Sequence, residues 1–84
     1  METQHTFSLI YTRKPGILIR VALVLERRGY TIESMSTNSY DSNPDYWEMI
    51  LTTEGDPEKL EQITRQLAKL IDVFSVQVLK EMYC

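Results

Sequence analysis

Cysteine, glycine, proline and histidine are all scarce, with one Cys, three Gly, three Pro and one His among 84 residues. The lone Cys84 excludes an intrachain disulfide and a metal centre built on thiolates, which fits a reducing compartment. So few glycines and prolines, against 43% hydrophobic residues, exclude a low-complexity or disordered chain. No apolar run approaches the ~20 residues of a membrane span, and Phe7 to Tyr11, broken by Ser8, is too short for a signal-peptide core. A cytoplasmic protein is expected. The net charge of -3 is small and of the wrong sign for a nucleic-acid or anionic-membrane surface. His5 lies near a terminus with no second ligand type at metal spacing, and reads as a surface residue. Catalytic chemistry is missing too: there is no cysteine beside a base, no phosphate-cradling glycine loop and no spaced pair of carboxylates.

What is present suits one small domain spanning residues 1–84. A chain of this size buries only roughly 60–65% of the surface exposed by its unfolded form, so association with other chains would help it. Charge is unevenly spread. Between Arg13 and Arg28 stand Arg13, Lys14, Arg20, Arg27 and Arg28 against Glu26, whereas the segment from Asp41 onward is acidic. Two readings follow, a solvated basic helix face or a docking surface for an acidic partner.

Thr3 to Thr12 alternates, with Phe7, Leu9 and Tyr11 on one face and Thr6, Ser8 and Thr12 on the other, which predicts a half-buried strand. Pro15 suits a first-turn helical position, and Ile17, Leu18, Val21, Val24 and Leu25 recur at helical spacing until Gly29 supplies a left-handed stop. This predicts a helix of about four turns. Tyr30 to Tyr40 and Tyr46 to Glu54 read as a hairpin around the five turn-formers Asp41 to Asp45. On its second strand Trp47, Met49, Leu51 and Thr53 should face the core, leaving Tyr46, Glu48 and Thr52 on the wetter face. Gly55-Asp56-Pro57-Glu58 opens a second helix, carried by Leu60, Ile63, Leu67, Leu70 and Ile71. Val73 to Leu79 is a last strand, with Lys80 to Cys84 left as a tail.

The order strand, helix, strand, strand, helix, strand predicts an α+β, ferredoxin-like βαββαβ two-layer sandwich with a four-stranded antiparallel sheet and both helices on one face. Thr31 to Tyr40 and Val73 to Leu79 should be the outer strands. Their unpaired backbone groups and the uncovered sheet face both invite oligomerisation.

Three blocks then resemble a known family. Lys14-Pro15-Gly16-Ile17-Leu18 with Arg20-Val21, Arg28-Gly29-Tyr30-Thr31-Ile32-Glu33-Ser34-Met35, and Leu60-Glu61-Gln62-Ile63 through Gln66-Leu67-Ala68-Lys69-Leu70-Ile71-Asp72-Val73 look like ACT domains. More narrowly they resemble the ACT domain of the small regulatory subunit of acetolactate synthase, over about Phe7 to Leu79. The resemblance implies a non-catalytic subunit of the short, single-domain type. Such a subunit binds a large catalytic subunit, which carries thiamine diphosphate, magnesium and FAD, and raises its activity in branched-chain amino acid biosynthesis. It also implies a homodimer formed through an edge strand and the first helix.

In the family an amino-acid effector binds at the dimer interface, where the first turn of one subunit meets the first helix and second strand of the other. Carried onto this chain, that site comprises Arg13, Lys14, Pro15, Gly16, Ile17, Leu18, Thr31 and Ile32. Gly16 would let a ligand reach the backbone and helix-start amides would hold its carboxylate. The valine-responsive pattern has asparagine where this chain has Arg13 and Thr31. Arginine offers only donors on a long stem and threonine a single hydroxyl, so valine binding should be weak or absent. Glu33 reads as a solvated or interface carboxylate, or as an orienting group for the facing subunit's turn.

Two other functions remain open on sequence. A free-standing ACT-domain amino-acid sensor shares every feature above. An RNA-binding ferredoxin-like module would use Tyr46 and the basic helix, but the glycine and alternating aromatics of RNA-recognition strands are absent and Glu48 occupies the strand that should bear them.

Overall fold

The computed structural model describes residues 2–83, with side chains through Leu79, so Cys84 lies outside the described residues. In chain order the elements are β1 (Thr3–Tyr11), α1 (Ile17–Glu26), β2 (Thr31–Tyr40), β3 (Asn43–Gly55), a 3-10 turn (Pro57–Lys59) running into α2 (Leu60–Ala68), and β4 (Val73–Tyr83). The strands form one antiparallel sheet in the order β2-β3-β1-β4. This is the expected ferredoxin-like fold, with β2 and β4 at the edges.

The core follows from the two periodicities. Phe7, Leu9 and Tyr11 of β1 and Met49 and Leu51 of β3 point to one face, where Ile17, Val21 and Leu25 of α1 and Ile63 and Leu67 of α2 cover them. Spacing of four along α1 makes 17, 21 and 25 a single line. Leu18 lies off that line and is 44% exposed, contrary to its expected place on the buried face. Ile71 is exposed as well, because α2 ends at Ala68 and the helical period no longer applies to it.

α1 has ten residues, nearly three turns rather than four. Its start is displaced by the preceding turn, in which the Ile17 amide donates to the Lys14 carbonyl at 3.2 Å and Gly16 sits at φ 84°, ψ -1°. That is a type II turn with Pro15 and Gly16 at its centre, so Pro15 precedes the helix instead of lying in its first turn. At the other end Tyr30 N donates to Leu25 O and Gly29 N to Glu26 O, the paired bonds of a Schellman closure. Gly29 therefore stops the helix as its sequence position suggests.

The hairpin turn is narrower than the run of turn-formers. Tyr40 pairs with Asn43, leaving Asp41 and Ser42 as a two-residue loop at φ 48° and 58°. Asp56 caps the second helical segment as expected, its Oδ1 accepting from Glu58 N at 2.9 Å with Pro57 behind it. β4 runs to Tyr83, so residues 80–83 are strand and not tail: β1 extends to Thr3 and offers backbone partners from Thr6↔Lys80 to Thr3↔Tyr83.

His5 is a further correction, being fully buried rather than at the surface. The alternation of β1 continues to Thr3, which turns Thr3 and His5 inward with Phe7. There His5 stacks on Tyr30 with centroids 5.4 Å apart, and its Nε2 lies 2.6 Å from Thr3 Oγ1. Thr53 Oγ1 donates to the His5 carbonyl at 3.0 Å, closing a buried polar cluster at this end of the sheet.

Candidate functional site

The turn from β1 into α1 forms one side of a cavity of about 660 Å³. Arg13, Lys14, Pro15, Gly16, Ile17 and Leu18 all line it, so six of the eight residues singled out on sequence come together. Thr31 and Ile32 lie at the opposite end of β2, paired with Glu54 and Thr53. Thr37, six residues further along β2, lines the cavity instead, which puts Thr31 roughly 20 Å away at ~3.3 Å per strand residue. Within one protomer the eight residues do not form one site.

The turn explains what the cavity offers. Gly16 at φ 84° has no side chain between the backbone and the opening. No side chain caps α1 and its first turn holds no acidic residue. The helix therefore presents early amides and its positive pole, beside Arg13 and Lys14. A carboxylate is the group this corner would hold best.

The remaining wall comes from the sheet. Tyr11 of β1 pairs with Trp47 of β3, and Thr37 of β2 pairs with Met49 next along, so register alone brings Tyr11, Trp47 and Thr37 to one place. The Arg13 guanidinium lies over the Trp47 ring, 4.4 Å from its centroid, a cation–π contact that pins an otherwise exposed side chain. Tyr11 is buried, and desolvation raises its pKa above the ordinary value; a side-chain hydrogen bond with Thr37 and the charge of Arg13 pull it partly back. A neutral phenol and a clamped guanidinium thus face the same space.

Sequence reasoning missed Tyr11, Ile19, Thr37 and Trp47 as lining residues. Tyr11 and Trp47 did carry a signal, Tyr11 as the last large core-facing side chain of β1 before its turn and Trp47 as the first of β3 after the hairpin. Ile19 follows the cavity-lining Leu18 directly and is 66% exposed.

Elsewhere, Glu33 is exposed and accepts from Gln4 Nε2 at 3.1 Å. It stands where the β2–β3 register shifts between Ile32 and Ser34. Arg20 pairs with Asp72 at 2.6 Å, while the Asp72 carbonyl accepts from Thr12 N, tying the exit of β1 to the entry of β4. Among the described residues no group of three or more His, Cys, Asp or Glu is placed to hold a metal ion. No described helix is long and apolar enough to cross a membrane.

Comparison with known proteins follows the same outline. The family model for the ACT domain matches residues 13–76. A probable acetolactate synthase small subunit of Archaeoglobus fulgidus is 37% identical over 78 residues, 93% of this chain and 48% of that protein. One from Methanothermobacter thermautotrophicus is 42% identical over 76 residues, 90% of this chain and 45% of that protein. The crystal structure of an acetolactate synthase small subunit from Thermotoga maritima superposes with a TM-score of 0.78 at 30% identity, covering 92% of this chain and 47% of that one. The chain spans about half the length of the curated relatives it matches.

Proposed function

The chain belongs to the ACT domain family, and from that premise we propose that it is a non-catalytic regulatory subunit of an acetolactate synthase. The observation that carries this reading is the 37–42% identity, over nine-tenths of the chain, to proteins named as acetolactate synthase small subunits. Thiamine diphosphate, magnesium and FAD belong, on this reading, to the large subunit. This chain binds that subunit and biases it toward its ordered, cofactor-competent state, which requires a higher affinity for that state.

Two copies pair through β2 and α1 into one eight-stranded sheet. The support is physical: β2 is an edge strand exposed along most of its length, and Leu18, Ile19 and Leu23 of α1 and Met35 of β2 are apolar and uncovered. Pairing also brings a partner's residues against the Gly16 corner, where Thr31 and Ile32 of a second copy complete the effector site.

Valine feedback is weak or absent. Arg13 is held over Trp47 and supplies donors only, so a ligand ammonium group finds no amide oxygen there. The test is acetolactate formation by the cognate large subunit, with and without this protein and with and without valine. Stimulation that valine leaves intact is expected. Valine-abolished stimulation would overturn the feedback reading, and no stimulation would overturn the subunit reading.

A further inference from the structure

A second cavity, of about 600 Å³, runs between α1 and α2 on the side away from the sheet. Arg20, Arg27 and Arg28 line it from α1 and the residues just beyond, and Lys59 lines it from the start of α2. No carboxylate is among its lining residues, although the chain as a whole carries a charge of -3. Leu23, Val24 and Leu70 give it an apolar floor. Arg20 already has a partner in Asp72. That leaves Arg27, Arg28 and Lys59 as the charges on offer.

Helix electrostatics accounts for only part of this. Arg27 and Arg28 follow the C-terminal end of α1, where cations are favoured. Lys59 stands at the N-terminal end of α2, where a cation is disfavoured, so its own helix gives no reason for its place. The Arg28 Nε is buried and has no hydrogen-bond partner. An anion from outside would give the Lys59 ammonium and the Arg28 guanidinium a charge partner. The groove is open along its outer side, about 12 Å long from Arg20 to Arg28 at 1.5 Å per helical residue, and part apolar. Those properties fit a segment of polypeptide better than a small anion, which needs enclosure and convergent donors.

We propose that the α1/α2 groove is the seat of an acidic, partly apolar segment of the large subunit, a proposal that rests on the subunit reading above. Only Arg20, one helical turn from Gly16, lies between this groove and the Gly16 corner, and the two cavities share no lining residue.

The test measures binding of the full chain to the purified cognate large subunit by biolayer interferometry at several salt concentrations, using Arg27→Glu with Lys59→Glu and, as a milder pair, Arg27→Gln with Lys59→Gln. Circular dichroism melts establish that each variant folds. The charge-reversed pair should associate at least about tenfold more slowly at low salt, and the neutral pair should show a flatter salt dependence than the unaltered chain. Variants that bind as the unaltered chain does would overturn the groove assignment and leave the subunit reading standing. An unaltered chain that fails to bind would overturn both. Two further outcomes also sink the proposal: inorganic pyrophosphate perturbing the amide resonances of Arg27, Arg28 and Lys59 while the variants still bind the large subunit, or variants whose only change is oligomeric state.

Discussion

Gly55 has no room for a side chain, since an added Cβ would stand 2.3 Å from Tyr30 Cδ1. Tyr30 cannot move aside cheaply, because it is buried against His5 and its hydroxyl donates to the Asp56 carbonyl at 2.6 Å. Gly55→Ala should therefore destabilise the fold by about 1–3 kcal/mol, read from the urea midpoint at unchanged m-value. Gly16 makes the opposite case: a Cβ there meets only Arg20 Nη1 at 3.6 Å, so Gly16→Ala costs about 1 kcal/mol through its backbone angle alone. Tyr11 gives a pH dependence. Burial raises its pKa, so the unfolded chain gives up this proton first as pH rises. The corresponding stability is complete below the unfolded value of about 10 and is lost as pH climbs from there toward the folded value. Melting temperatures between about pH 9 and 11 should fall less steeply in Tyr11→Phe than in the unaltered chain.

At the scale of elements, the β2–β3 hairpin turns on two non-glycine residues in left-handed conformation, Asp41 and Ser42. A two-residue loop of this kind favours Asn-Gly. Replacing Asp41 by Asn and Ser42 by Gly should raise stability by about 0.5–1 kcal/mol, measured as an upward shift of the melting temperature. The turn region was legible from Asp41 to Asp45, but which two residues make the loop was not. Cross-strand register decides that, through Tyr40 opposite Asn43. The helix ends divide in the same way. Asp56-Pro57 and Gly29 were readable because caps are local chemistry, while the late start of α1 depended on Pro15 and Gly16 being used by the preceding turn.

For the whole molecule, the exposed edge strand β2 and the uncovered flank of α1 should make the protein a dimer in solution. Met35→Lys, on that edge, should shift the mass seen by light scattering toward the monomer without lowering helical content, because Met35 is 38% exposed and outside the buried core. A monomeric unaltered chain at micromolar concentration would sink the side-by-side arrangement. Dimerisation also bears on the candidate site. Only a second copy can bring Thr31 and Ile32 to the Gly16 corner, given their place at the far end of β2.

The sequence by itself determined the order of elements, the fold that this order permits, and the helix stop at Gly29 and start at Asp56-Pro57, because alternation, helical spacing and capping chemistry act between near neighbours. Tertiary structure alone decided that Tyr11, Thr37 and Trp47 share a wall, that His5 is buried, and that Lys59 faces Arg27 and Arg28 across a groove. Each of these joins residues far apart in the chain. Strand register and helix packing set such distances, and a one-residue shift in register would have turned every side chain of the strand to the other face.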